Sequence, residues 1–437
     1  MPIGAKPPIN CCPPTSTKIL DFKLPSSKLP LRIRPAAHLV DDAYIAKYSK
    51  AVELMKALPE DDPRSFMQQA KVHCAYCDGA YDQEGFPDLQ IHIHNSWLFF
   101  PFHRYFVYFH EKILGKLIND PTFALPFWNW DSPEGMRLPA LYANPISPLY
   151  NQYRNKNHQP PTLVDLHYNG NENCTSDQDQ QSSNLSIMYR QMVSNGKTAK
   201  LFLGSSYRAG DEPDPGIGGK RTEFTDPDWL DATFLFYDEN ANLVRVKVRD
   251  CIDHKKMRYA YQEVDIPWLK SKPTPRTLIK KVAKGFHHHG QKAQAPKTQN
   301  LTPISSFPLV LDKVKSTMVK RPKKSRSKKE KEEEEEILVI NGIEFERDAV
   351  MKFDLYVNDE HDSPSGPDKS EFAGSFVNVP HAHKHGKKMK TYLRLGITDL
   401  LEDLGAEDDD SVMVTLVPRI GKGHAKIGGI KIEIVQD

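Results

Sequence analysis

No run of the 437 residues reaches the about 18 consecutive apolar side chains that a membrane-crossing helix needs, which excludes a membrane span as the first reading. An excess of one charge is also lacking. Fifty-nine Lys and Arg against 57 Asp and Glu leave a net charge of +2, which argues against a nucleic-acid binder. Cysteine is scarce: six residues are too few for a disulfide-framework miniprotein, and their number does not decide the compartment. Histidine is unevenly spread, with none of the 17 lying between His167 and His254. What remains is long enough for two globular domains, with 39% hydrophobic residues, 34 prolines and a mean hydropathy of -0.58 that point to much loop and linker.

Against that background the stretch from His73 to Glu111 stands out, because it packs five histidines and two cysteines among aromatic residues. His73 and Cys77 are four apart, one helical turn on a shared face. His94 and His103 would point to opposite sides of one continuous helix, but Pro101 fits the first turn of a new helix. That places His103 near a helix start and His94 on the loop before it. His73, His94 and His103 can then converge, and three neutral imidazoles suit copper, zinc, iron or nickel, copper(II) binding tightest. His92 and His110 are expected to be satisfied core or surface residues.

Along the chain, Tyr44, Tyr48, Ala51, Met55 and Leu58 recur at helical steps and predict a helix over 41–58. A second helix is expected to open at Asp62-Pro63 and to bury Phe66, Ala70, His73 and Cys77. A third, from Pro101 through Leu117, reads as a core helix. Phe127-Trp128-Asn129-Trp130 is expected to be buried aromatic packing, and 144–181 a surface excursion; the triplets at Asn173 and Asn184 matter only in a secretory compartment. Phe234 to Tyr237 and Leu243 to Val248 form a hairpin pattern. Residues 271–300, with His287, His288 and His289, read as linker, and the charged block Lys323 to Glu336 as a solvated loop. Beyond it, alternation at Met351, Phe353, Leu355 and Val357 and at Ile430, Ile432 and Ile434, with an Asn341-Gly342 hairpin turn, is a β-sandwich signature. His381, His383 and His385 read as an exposed basic loop, with copper binding as the alternative.

The order HCAYC, HIHNSW, FFPFHRYFVYFHE and LPFWNWDSPEGM resembles plant polyphenol oxidase (catechol oxidase), a type 3 copper family of the tyrosinase and haemocyanin superfamily. The segment from Asp228-Trp229-Leu230 resembles its DWL region, and Lys352-Phe353-Asp354-Leu355 its C-terminal KFDV motif. The resemblance implies an α+β chain: a mainly helical copper-binding bundle over 1–225, a DWL-type region over 226–270, a linker over 271–300 and a C-terminal antiparallel β-sandwich over 301–437. It implies copper ligands at His73, His94 and His103, a thioether between Cys77 and His94, and a disulfide between Cys11 and Cys74. Cys12 would be left without its usual upstream partner, and the partners of Cys174 and Cys251 stay open.

In the family, two coppers with three histidines each oxidise o-diphenols to o-quinones with dioxygen. The second triad belongs roughly midway along the chain, where this sequence runs from Ala209-Gly210-Asp211-Glu212-Pro213-Asp214-Pro215-Gly216 directly into Ile217-Gly218-Gly219-Lys220-Arg221-Thr222-Glu223-Phe224. The left part resembles the family just before the second copper region and the right part just after it, so a block is missing at Gly216. The bundle is then incomplete, at most one copper is expected, and no catalytic residue is identifiable beyond the copper ligands. The expected partners are a phenol and dioxygen. The alternative is a non-catalytic isoform that binds one copper or a partner. The resemblance implies a plastid, thylakoid-lumen protein. No Ser- and Arg-rich leader stands before Cys11, which makes a cytosolic location the other expectation.

Overall fold

The computed structural model describes residues 11–77, 81–83, 86–90, 93–94, 97–168, 176–198, 201–202, 225–276, 301–346, 349–359, 365–378 and 388–436. Two compact units emerge, Met1–Val164 with Leu203–Ile266, and Asp165–Phe202 with Pro267–Asp437. Among the described residues no helix is long and apolar enough to cross a membrane. His92, Cys174, the Asn173 triplet, the Gly216 junction, His287 to His289, and His381, His383 and His385 lie outside the described residues.

In the first unit, helix α1 (Asp42–Ala57) starts where Asp41 accepts a hydrogen bond from Tyr44 N at 2.8 Å, a cap worth about 1 kcal/mol. Its apolar stripe buries Tyr48, Ala51, Val52 and Met55. Helix α2 (Phe66–Cys77) begins later than the Asp62-Pro63 signal suggests. The Asp62 carboxylate is taken by Arg64, with Oδ2 2.7 Å from Nη2, and Ser65 Oγ accepts from Gln68 N at 3.3 Å instead. The expected buried face is also corrected. Gln68, Gln69, Val72, Ala75 and Tyr76 are buried, whereas Phe66 and Ala70 are exposed and His73 and Cys77 half-buried. Tyr76 explains the choice: its ring packs on Phe102 and Phe234 at 4.9 and 5.8 Å, and this larger aromatic contact sets the inward face.

Helix α3 (Phe99–Leu117) starts two residues before Pro101, which therefore sits in the first turn where no backbone N–H is needed. Strands β1 (Ile19–Asp21), β2 (Arg32–Arg34), β3 (Thr233–Tyr237), β4 (Leu243–Lys247) and β5 (Tyr259–Tyr261) make two small sheets. β3 and β4 are the expected hairpin, Phe234 opposite Val246, and β1 adds in parallel with Leu20 opposite Val244. β2 runs parallel to β5. Phe234 and Phe236 project from the hairpin onto Phe102 at 5.4 and 5.2 Å, so the hairpin fixes the helix that carries His103. Trp128 and Trp130 are exposed, contrary to the expected burial; the loop buries Asn129 instead, and Trp128 Nε1 donates to the Gly135 carbonyl at 2.6 Å.

The second unit holds a β-sandwich. Strands β6 (Lys315–Lys320), β8 (Met351–Val357), β9 (Phe372–Asn378) and β11 (Ser411–Ile420) form an antiparallel sheet in the order β9-β8-β11-β6. In the other sheet β7 (Glu334–Glu346) pairs with β10 (Lys388–Gly396) and β12 (Gly429–Gln436). Leu338, Ile340, Phe353, Leu355, Val414, Leu416 and Ile432 fill the core between them.

Four expectations change here. Asn341-Gly342 is not a hairpin turn but a bulge inside β7, where Gly342 takes φ +57° and the register with β10 shifts between Ile340 and Ile343. The alternation in β8 has no solvent face: Lys352 and Asp354 are as buried as their apolar neighbours, because they neutralise each other at 3.2 Å. The block Lys323 to Glu336 is ordered, with a short helix Lys328–Glu333 under a Ser327–Glu330 capping box, and Glu336 is paired with Arg321 at 2.8 Å in the interior. The surface excursion runs into helix α4 (Asp177–Tyr189), capped by Ser176, which lacks an apolar stripe and so left no periodic signal. Asn184 in it is buried, its Oδ1 accepting from Leu166 N and Gln180 Nε2, so it is not a surface acceptor.

Candidate metal centre

Three elements supply the expected histidines: α2 carries His73 in its last turns, the segment before α3 carries His94, and the second turn of α3 carries His103. Their ring centroids form a near-equilateral triangle of 5.6, 5.3 and 5.4 Å. One nitrogen from each lies within 4.8 Å of the other two, and His73 Nε2 is 3.2 Å from His103 Nε2. Two nitrogens held about 2.0–2.1 Å from one tetrahedral ion lie roughly 3.3 Å apart, so the His73–His103 pair already has the spacing of ligands to a single metal, with a His94 nitrogen within 4.8 Å of both.

Supporting contacts set which nitrogen would face a metal. His103 Nδ1 donates to the Phe99 carbonyl at 2.7 Å, which leaves Nε2 as the lone-pair atom. Burial lowers the pKa of His103, only partly opposed by that hydrogen bond, so the ring is the neutral form a metal requires. His73 leans on Phe102 and Phe106 at 6.0 and 5.4 Å, and His103 on Phe99 at 4.3 Å. These rings flank the donor set, whose three histidines are each half-buried. Cys77 Sγ lies 3.3 Å from His73 Nδ1 and 3.7 Å from His94 Nε2. The adjacent Cys74 forms a disulfide with Cys11, which ties the N-terminal arm to α2.

His110, about two turns beyond His103, is not drawn into the cluster; burial pushes its pKa down to about 4, and among the described residues its Nδ1 has no hydrogen-bond partner. Cys251 is buried, its thiol pushed up to about 12 by burial, and is inert rather than reactive. Missed from sequence was Glu111. It is fully buried, and its carboxylate accepts from Arg32 Nε at 2.9 Å, Arg34 Nε at 2.8 Å and Leu125 N at 2.9 Å. This network locks α3, and with it His103, to β2. The alternating Arg32-Ile33-Arg34 opposite an apolar helix with one acid was the available signal.

Family models match most of the chain. The common central domain of tyrosinase matches residues 63–229, the polyphenol oxidase middle domain 223–274, and the chloroplastic polyphenol oxidase C-terminal domain 307–434. A chloroplastic polyphenol oxidase of Malus domestica is 60% identical, covering 99% of this chain and 82% of that protein. The chain belongs to the plant polyphenol oxidases, a type 3 copper family. Aureusidin synthase of Antirrhinum majus is 50% identical, covering 98% of this chain and 85% of that protein. The solved structure of latent apple tyrosinase superposes with a TM-score of 0.85 at 59% identity, covering 96% of this chain and 100% of that one. These matches bear out the α+β polyphenol oxidase fold with its C-terminal β domain. The Malus alignment runs over 494 positions, whereas this chain has 437 residues. At least 57 positions, the difference 494 − 437, therefore face gaps in this polyphenol oxidase sequence.

Proposed function

We propose that this chain holds one copper through His73, His94 and His103, and that it is a polyphenol oxidase relative impaired in oxidising o-diphenols to o-quinones with dioxygen. The convergence of those three imidazole nitrogens within 4.8 Å carries the reading. Copper, when bound, supplies the electron acceptor and the dioxygen-binding site for the phenol's oxidation. The protein's own part is to keep three neutral imidazoles aimed inward, to fix the His103 tautomer through the Phe99 carbonyl, and to wall the site with Phe102 and Phe106. Cys77 stands close enough to His94 to support the thioether that the family implies, which would pin the His94 ring.

Impairment is supported by the absence of any histidine between His167 and His254 and by the unmatched positions of the relative. A phenol oxidation removes two electrons, and a single copper couple accepts one, so a lone site does not match the stoichiometry. The second reading, a non-catalytic isoform that binds one copper or a partner, rests on the same gap. Reading transcript and genomic DNA across the Gly216 codon separates a true isoform from a missing exon. The chloroplastic names of relatives support a plastid location, with the thylakoid lumen as the family's compartment.

The ligand assignment is tested by copper titration of the apo protein. Alanine at His73, His94 or His103 is expected to abolish tight binding, and unchanged binding in all three variants refutes it. The thioether is tested by the mass of the peptides carrying Cys77 and His94, which should be cross-linked and two hydrogens lighter than their sum.

A further inference from the structure

Residues 165–202 precede the middle domain in chain order, yet they fold into the second unit with the β-sandwich. Their contacts with it are specific. His167 is buried, with Nε2 3.3 Å from Asp354 Oδ2 and its ring edge-on to Phe372 at 5.3 Å. Arg190, also buried, lies over the same Phe372 ring at 5.8 Å and donates from Nη2 to the Lys369 carbonyl at 3.1 Å. At the end of β10, Gly396 N donates to Asn195 Oδ1 at 3.0 Å. A Cβ on Gly396 would stand 2.8 Å from the Ser194 carbonyl oxygen and 3.3 Å from Leu201 Cδ1, so the close approach of segment and strand requires glycine. Lys197 Nζ then closes the edge, 2.7 Å from Asp399 Oδ1 and 3.4 Å from Glu335 Oε2.

A second tie lies just ahead of the linker. Thr274 N donates to the Asp368 carbonyl at 3.2 Å, and Arg276 N donates to the Glu371 carboxylate at 2.9 Å. The sandwich over 301–437 is thus held by two segments that both stay on the N-terminal side of any cut made between 277 and 300.

We propose that residues 165–202 are a docking strap for the β-sandwich, so that cleavage of the chain between 277 and 300 leaves the C-terminal fragment bound. Buried partners explain why the strap holds. Its departure would expose the Phe372 ring to water and break the His167–Asp354 and Arg190–Lys369 contacts, so apolar cover and polar partners are lost together. A single cut in the linker is therefore not a release step; release requires a second event that undoes the strap.

The test uses the full chain with a site-specific protease sequence introduced within 277–300, cut under native conditions and run on size exclusion at micromolar concentration. Two fragments on a denaturing gel that coelute on the column are expected. Gly396→Val, and separately the pair Asn195→Ala with Lys197→Ala, should weaken retention roughly tenfold or more and move the C-terminal fragment to its own peak. The thermal transition of each uncut variant verifies that it is folded, and the Asn195 and Lys197 pair serves if Gly396→Val is not. Separation of the wild-type fragments overturns the proposal. Undiminished coelution of the folded variants overturns it equally, because the hold is then made elsewhere.

Discussion

Replacing Glu111 with glutamine tests whether the buried charge network positions the metal helix. The carboxylate is fully buried and satisfies two guanidinium Nε–H groups and the Leu125 N–H at 2.8 to 2.9 Å. Arg32 and Arg34 have no spare acceptor to turn to among the described residues, where the Nη2 atoms of both are buried without hydrogen-bond partners. Glutamine keeps the shape but removes the charge, leaving two buried cations facing a neutral amide, a loss of about 3–5 kcal/mol for a broken buried pair. A cavity of about 460 Å³ bordered by Arg32 and Glu111 can admit water to one guanidinium, which favours the lower end, about 3 kcal/mol. At roughly 2–4 °C per kcal/mol for a unit of this size, the melting point falls by about 6–12 °C. Tryptophan fluorescence is the assay, because four of the five tryptophans, Trp97, Trp128, Trp130 and Trp229, lie in the first unit. Copper affinity should fall in parallel, since α3 carries His103. A stability loss below about 1 kcal/mol would refute the reasoning, by placing the pair with surface bridges rather than buried ones.

Other consequences can be checked on the same material. His110 has a folded pKa of about 4 below its unfolded value of about 6.5, so stability is fully present above the unfolded value and is lost as the pH falls from 6.5 toward 4. The loss is at most about 3 kcal/mol, and His110→Phe should flatten that limb of a urea-denaturation series against pH. Asp354→Asn leaves Lys352 and Arg419 without their buried counter-charge and should cost about 3–5 kcal/mol, read as a lower midpoint for the second unit in calorimetry. Gly342→Ala forces a side chain into the left-handed conformation at φ +57° and should cost about 1–2 kcal/mol in the same measurement.

How much of this was legible in the sequence depends on what each residue does. His73, His94 and His103 could be chosen because the motifs around them resemble those of the family, which implies ligands at these positions, and α1 because its apolar steps match one helical face. The strands of the sandwich were visible for the same reason. What escaped were polar residues used in the interior. Lys352 and Asp354 alternate with apolar residues as a solvent face would, and only their mutual pairing, a tertiary fact, makes them core. Glu111 hides in an aromatic helix because its partners lie far away in sequence, at Arg32 and Arg34. Asn341-Gly342 has the turn composition, but the left-handed glycine serves a bulge when strands exist on both sides to pair through it. α4 gave no periodic signal because it buries the polar Gln180, Asn184 and Ser186 alongside Ile187 and Met188.

The most direct test of the central claim is copper content per chain and catechol turnover, measured together on protein loaded with copper in excess. We expect no more than one copper per chain and oxidation of catechol no faster than the background rate of free copper. Two coppers per chain with robust turnover would contradict the account.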